Sequence, residues 1–428
     1  MRGLITSGEK VAALLPILDK ARSLEFVVVS DGGKNYEGRQ AVYDLAELFT
    51  LTAQQDWRDW GIGKDLAAIL YTSGSTGKPK GVMLSHEQVM AGSSIVSDYL
   101  GITADDRIIG VLPLSFDAGL NQLMTAVQQG GTYVPMTFVF AREIVHMLLR
   151  EHITGMAGVP TLWSLMAQPS STLDKQSLPE LRYITNTGGR MPQAVLKTLR
   201  HALGKTRIFL MYGLTEAFRS TYLPPEELAR RPDSIGIAIP NTEILVINEK
   251  GEPCKPGEVG ELVHRGPTVS MGYWGQPELT ARALRPHPLA PPELGDHEKV
   301  CYSGDLVRMD HEGFLYFVGR RDNMIKSSGF RVSPTEVEEV LFQCGKLREA
   351  AVIGIPDETL GHVIRACVVP CEGENVSSQE IITFCAEKMP RYMVPKFVDI
   401  MDSLPKTPSG KVDYPALRQG FPVSTLAS

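Results

Sequence analysis

The chain has 428 residues, 43% of them hydrophobic and 21% charged, which exceeds one ordinary core, excludes a disordered chain and predicts two or three domains. With 43 Lys and Arg against 49 Asp and Glu, the net charge is −6, so no overall basic field exists to attract nucleic acid or an anionic membrane, and no nucleic-acid partner is expected. No apolar run is long enough to make a transmembrane segment, residues 1–10 lack the continuous apolar region of a signal peptide, and six cysteines without a CxxC pair read as reduced thiols in a cytoplasmic protein.

In chain order, β-rich runs at 24–29, 67–71, 107–112, 132–136 and 208–211 are separated by amphipathic stretches at 87–100, 141–151 and 191–203. Strand alternating with helix predicts an α/β layered fold. Between 243 and 269 the runs 244–248 and 260–265 alternate around Gly and Pro, which predicts a small antiparallel β region. Beyond Gly319 the pattern becomes helix 334–343 with Ser333 as its cap, strands 350–354 and 364–369, and helix 379–388, a compact α+β domain of about 100 residues. The expected organisation is a large α/β domain over 1–318, a hinge at 319–322, a small α+β domain over 323–418 and a frayed tail at 419–428.

The most informative segment follows the apolar run 66–70: Tyr71-Thr72-Ser73-Gly74-Ser75-Thr76-Gly77-Lys78-Pro79-Lys80-Gly81. Small residues let backbone N–H groups approach phosphate oxygens, four hydroxyls add donors, and two lysines add charge for a polyphosphate. The spacing is not that of a Walker A loop, because only two residues separate Gly74 from Gly77-Lys78 and Pro79 follows. A Ser/Gly-rich surface turn seldom gathers so many hydroxyls, glycines and lysines directly after a buried strand.

This loop resembles the signature of the acyl-adenylate-forming (AMP-binding) superfamily, which includes acyl-CoA synthetases, luciferases and the adenylation domains of nonribosomal peptide synthetases. Further motifs in the family's order extend the match from about Asp65 to Leu417. The resemblance implies ATP binding by Thr72, Ser73, Gly74, Ser75, Thr76, Gly77 and Lys78. It implies a turn at Gly188-Gly189 against adenine, Tyr212 stacking on adenine, Gly213 among the ATP-binding residues, Thr215 near the α-phosphate and Glu216 on Mg²⁺. Asp305, in Tyr302-Ser303-Gly304-Asp305, is expected to accept the ribose hydroxyls with Arg320 beside it, and Asp322 to be the hinge of a mobile C-terminal domain. Gly329 is expected to line a tunnel for a thiol and Arg331 to approach phosphate. Lys411, in a loop framed by Pro405, Pro408 and Gly410, matches the lysine that bridges the substrate carboxylate and the α-phosphate. Taken singly, Glu216, Arg320, Asp322 and Lys411 would be ordinary solvated charges.

The acyl pocket stays open at this stage. Pro113-Leu114-Ser115-Phe116-Asp117-Ala118-Gly119 resembles the amino-acid-activating form of the motif, which implicates Phe116, Asp117 and Gly119. Asp117 either pairs with a substrate ammonium or caps the helix that follows it. The preferred reading is ATP- and Mg²⁺-dependent activation of a small-molecule carboxylic acid, followed by transfer to coenzyme A. The alternative is a stand-alone amino-acid adenylation enzyme loading the phosphopantetheine of a carrier protein. Family members carry a much longer stretch before the phosphate loop, so the large domain is expected to be N-terminally incomplete, and a non-catalytic remnant is a third reading.

Overall fold

Short apolar runs around one amphipathic stretch shape the first 61 residues. Gly3–Thr6, Phe26–Val29 and Ala41–Asp44 form a three-stranded parallel sheet, and helix Gly8–Leu18 crosses between the first two strands. Val27 and Val29 are fully buried beside Val11, Leu18 and Leu24. Residues 1–61 make one unit and 62–428 a second. The computed structural model describes residues 2–18, 20–32, 39–51, 60–72, 79–291, 293, 298–327, 330–357, 361–407 and 410–420, with the backbone alone at 12, 15, 322, 326, 331 and 361.

The second unit is built on a seven-stranded sheet in the order Ile237–Ala238, Thr221–Leu223, Arg207–Tyr212, Tyr183–Asn186, Gly155–Gly158, Arg107–Gly110, Thr132–Pro135. The five strands from Arg207–Tyr212 onward are parallel to their neighbours. Parallel neighbours require crossovers, and helices Asp117–Gln129, Ala141–Arg150, Pro160–Met166 and Gln193–Leu203 supply them. Both faces are covered, so successive strand residues enter opposite cores. Ile109, Ile184 and Ile208 pack with Trp163 and Leu199 on one side, and Ile108, Tyr183 and Phe209 pack with Val96 and Leu100 on the other. Gly158, Asn186 and Leu210 stand level, so the turns after three strands open at one edge. That edge is where an α/β sheet receives ligands.

The strand leading to the phosphate loop does not run into a helix. Leu66–Thr72 returns as Lys80–Ser85 in an antiparallel hairpin, with Thr72 opposite Lys80, and Gly272–Tyr273 adds a third strand. Ser85 then caps helix His86–Leu100 in a reciprocal box with Gln88. The expected antiparallel region is a sheet of Glu243–Ile247, Val259–Arg265, Lys299–Met309, Leu284–Pro286 and Leu315–Arg320.

Beyond it, Phe330–Val332, Ile325–Ser327, Gly361–Pro370 and Leu347–Asp357 form an antiparallel sheet, with Phe397–Ile400 parallel to Gly361–Pro370. Val352 faces a core with Val337, Leu341 and Ile381, whereas its neighbour Ile353 faces Leu404 and Leu417. Helix Pro334–Phe342 is where the sequence predicts it, but Ser333 does not cap it through its side chain. The Ser333 hydroxyl is fully buried and donates to the Val318 carbonyl, which ties the helix to strand Leu315–Arg320.

Candidate active site

Three small clusters form around the carboxyl edge of the parallel sheet. The first surrounds Glu216. Residues 213–220 are the loop by which Arg207–Tyr212 turns back antiparallel into Thr221–Leu223, with Tyr212 opposite Thr221. Phe218 makes this turn at φ 54, a left-handed conformation that is costly for a residue with a bulky side chain. Its ring is fully buried in a cluster with Leu84, Val89 and Tyr273. Gly92 makes room for that ring, since a Cβ there would lie 2.3 Å from it. Anchored in this way, Glu216 is half-buried, and its Oε1 accepts from the Tyr273 hydroxyl at 2.6 Å. Burial, then the Glu216 charge, push the Tyr273 phenol up, so it remains a neutral donor. Lys80, at the far side of the phosphate-loop hairpin, lies 5.9 Å from the centre of the Tyr273 ring.

The second cluster joins Tyr212 to Asp305. The Tyr212 hydroxyl donates to Asp305 Oδ2 at 2.5 Å, and Arg320 Nε stands 3.2 Å from Oδ1. Register places Asp305 opposite Arg320 across two antiparallel strands. Asp305 is buried, and burial raises its carboxyl above the ordinary range although Arg320 and the Tyr212 hydrogen bond pull the other way. Oδ1 has no hydrogen bond, so an acceptor is left for a hydroxyl. Burial, followed by the Asp305 charge, pushes the Tyr212 phenol well up.

The third cluster delivers Lys411. Lys406 bridges Val412, and the Thr407 N–H donates to the Lys411 carbonyl at 2.8 Å, so Lys406-Thr407 and Lys411-Val412 lie side by side. Gly410 turns at φ +81, and its carbonyl accepts from Thr161 Oγ1 at 3.3 Å. Lys411 Nζ then lies 5.2 Å from the centre of the Phe116 ring. Gly188 sits at φ +78, which favours glycine, and an added Cβ would stand 2.9 Å from the lysine Cε and displace the end of that side chain. The Lys411 charge reaches Asp305, whose carboxyl it lowers.

The structure thus gathers Phe116, Gly188, Tyr212, Glu216, Asp305, Arg320 and Lys411 at one edge, with Thr72 ending the hairpin strand and Thr215 preceding Glu216 in the same loop. Gly189 is exposed, and its carbonyl accepts from Asn186 Nδ2 at 2.8 Å. Gly213 packs under the Arg219 backbone at 3.2 Å from its missing Cβ. Gly119 does not face an open pocket: a Cβ there would stand 2.2 Å from the Pro113 carbonyl oxygen, so it serves close packing. Asp117 is not the helix cap, because Phe116 holds that position. Asp117 is the first helical residue, buried, with Oδ1 accepting the Ala118 N–H at 2.8 Å. Asp322 lies in the turn Arg321–Asn323 and Arg331 in strand Phe330–Val332. Ser73, Gly74, Ser75, Thr76, Gly77, Lys78 and Gly329, with the side chains of Asp322 and Arg331, lie outside the described residues.

Sequence reasoning missed Tyr273 and Thr161. It also passed over Arg190, which pairs with both Asp233 and Glu339, and the buried Arg219.

Residues 1–274 match the family model described as AMP-binding enzyme, and residues 336–411 the one described as AMP-binding enzyme C-terminal domain. Feruloyl-CoA synthase of Amycolatopsis sp is 32% identical over 360 residues, which span 83% of this chain and 70% of that protein. Indoleacetate–CoA ligase of Aromatoleum aromaticum is 33% identical over 355 residues, 82% of this chain and 66% of the relative. Among solved structures, O-succinylbenzoate coenzyme A synthetase from Bacillus subtilis, in complex with ATP and magnesium ion, aligns with a TM-score of 0.79 at 26% identity. That alignment covers 96% of this chain and 87% of the other.

Proposed function

We propose, for a chain that belongs to the AMP-binding enzyme family, a two-step ligation in which this site activates a carboxylic acid as its acyl-adenylate and then passes the acyl group to a thiol. The chain is an AMP-forming acyl-CoA ligase. In the first step an acid carboxylate attacks the α-phosphorus of ATP in line, and pyrophosphate leaves. In the second, a thiolate attacks the acyl carbonyl and AMP leaves. Positioning and charge do most of the work in such a phosphoryl transfer.

The residues divide these tasks. Asp305, with Oδ1 free to accept, takes a ribose hydroxyl beside Arg320, while the Tyr212 ring, Gly213 and the Gly188–Gly189 turn seat the adenine. Thr72 and the loop 73–78 hold the phosphates, with Thr215 toward the α-phosphate. Lys411 places its ammonium where the attacking carboxylate and the phosphate meet, and offsets their charge. A magnesium ion fits the donor set in one respect: Glu216 offers a half-buried carboxylate whose Oε1 is held by Tyr273, and hard cations take such oxygens. Bound there, the ion would neutralise phosphate charge. For the second step the small domain turns about Asp322, bringing Gly329 and Arg331 to the cleft in place of Lys411. Coenzyme A is the acceptor. The six unpaired cysteines fit a cytoplasmic, reducing setting, and among the described residues no helix is long and apolar enough to cross a membrane.

The observation that carries this reading is Lys411, drawn by its loop onto Phe116 and Gly188 beside Asp305. Lys411→Ala is expected to slow acid-dependent adenylation by about a hundredfold or more while ATP binding holds and thioester formation from supplied acyl-adenylate changes little. Equal loss of the two half-reactions would refute the assignment.

A further inference from the structure

Behind the turn that receives Lys411, between the sheet and helices His86–Leu100 and Asp117–Gln129, lies a cavity of about 20 Å³ lined by Ala118, Asn121, Gln122, Thr187 and Arg219 among others. Its walls are mainly apolar, Val96, Leu100, Ile108 and Met211 among them, and the polar side chains of Asn121, Gln122 and Arg219 are set into that lining. Arg219 is 5% exposed, and no carboxylate among the described residues lies within 4.0 Å of its guanidinium. Its Nη1 donates to Thr187 Oγ1 at 3.3 Å, and its Nε is buried without a partner. Asn121 Nδ2 is buried and unpaired too. Gln122 is fixed by donating Nε2 to the Ile109 carbonyl at 3.2 Å, which leaves its Oε1 as the single unpaired acceptor of the set.

A buried guanidinium without a counter-charge is costly, and proteins pair or ligate such groups. Here the backbone is arranged to put it in that position. Phe218, at φ 54, reverses the loop so that Glu216 stays with Tyr273 while Arg219 returns beneath the sheet edge. The cavity shares its walls with the reaction site: Thr187 precedes Gly188, against which Lys411 lies, and Ala118 follows Phe116 by two residues. These chain neighbours put the cavity next to the place where an acid's reacting carboxylate would meet Lys411.

We infer that Arg219 is the specificity-determining residue of the acyl pocket and selects a compact acid that carries a second carboxylate. The inference rests on the ligase reading and names its substrate class. A planar guanidinium with Nε free matches a carboxylate bidentately, and Asn121 Nδ2 supplies a further donor. Gln122 Oε1 is left for a water or a hydroxyl. The small cavity, about 20 Å³, admits the end of a short acid and not a long or bulky chain. An unsubstituted aliphatic acid would leave the guanidinium desolvated and unpaired, the condition under which polar sites reject apolar analogues most strongly.

The test compares malonate, succinate and glutarate, each with the monocarboxylate and the 2-amino acid of the same carbon count, in ATP–pyrophosphate exchange by the wild type, Arg219→Met and Arg219→Lys. Wild type is expected to prefer one dicarboxylate by about a hundredfold or more in kcat/KM. Arg219→Met should erase that preference, chiefly through KM, and Arg219→Lys should restore part of it. Thermal unfolding of Arg219→Met without substrate should come no earlier than that of wild type, because an unpaired buried charge has been removed. Calorimetric binding of the dicarboxylates gives a second readout independent of catalysis, and Arg219→Met should lose it. The proposal is overturned if no dicarboxylate binds, if the monocarboxylate or amino acid is preferred, or if Arg219→Met slows all acids equally and merely unfolds earlier. Dicarboxylate binding without pyrophosphate exchange would instead leave Arg219 its anion and refute the ligase reading.

Discussion

Glu216 and Tyr273 show how much of this site depends on one hydrogen bond. The phenol donates to Oε1 at 2.6 Å and so aims the other carboxylate oxygen. Tyr273→Phe is expected to raise the Mg²⁺ concentration needed for half-maximal adenylation about tenfold with little effect on the acid's KM, the lower end of the about 10- to 100-fold loss of affinity seen when partners of metal ligands are removed. Glu216→Gln should also slow adenylation itself. Magnesium titrations of pyrophosphate exchange in the two variants measure this, and titrations that superimpose on wild type would make Glu216 a surface carboxylate. Glu216 was legible because it stands in an ordered series of motifs. Tyr273 was not, because a two-residue strand has no period, and only its pairing with Val82 across the hairpin places it. Arg219 was hidden for a related reason. A lone arginine three residues past a motif reads as a surface charge, and its burial follows from a left-handed turn at Phe218 that sequence does not announce.

At the scale of elements, strand Val259–Arg265 holds the end of the same loop. His264 is fully buried, with Nδ1 3.0 Å from Ser220 Oγ and Nε2 3.1 Å from Thr268 Oγ1. Burial lowers its pKa to about 3, so the folded protein keeps it neutral while the unfolded chain protonates near pH 6.5. The unfolded state binds more protons as pH falls between these values. The neutral imidazole's contribution is therefore complete above about pH 6.5 and declines by about 1.4 kcal/mol per pH unit below it. His264→Gln, with no proton to gain, should be less stable than wild type at pH 7, and that gap should narrow by about 2 kcal/mol by pH 5. Denaturant unfolding at the two pH values checks this. Curves that stay parallel would show that the imidazole is not held neutral. The elements that the sequence names lie close to their expected places, since helix Ala141–Arg150 and strand Arg207–Tyr212 fall within a residue or so of expectation, whereas helix Gly8–Leu18 and strand Lys299–Met309 were not named. Ser333 was misread because a serine before Pro334 looks like a cap, whereas the tertiary fold gives its hydroxyl the Val318 carbonyl.

Over the whole molecule, the order of motifs foretold that distant segments converge, and the convergence is visible in Lys411, about two hundred residues beyond Gly188 in sequence yet packed against it. Arg190, paired with Asp233 and with Glu339 on helix Pro334–Phe342, ties the small α+β region to the large one. Sequence could name Lys411 but not its place, because the proposed rotation gives the small domain two arrangements and composition favours neither. The acid itself was not legible, since the buried Arg219 stands in no motif. The account stands most directly on the first half-reaction, and ATP–pyrophosphate exchange measures it. The purified chain, given ATP, Mg²⁺ and the preferred acid, should return labelled pyrophosphate into ATP without coenzyme A, and adding coenzyme A should yield the acyl thioester and AMP. Exchange that ignores the acid, or release of ADP in place of AMP, would contradict it.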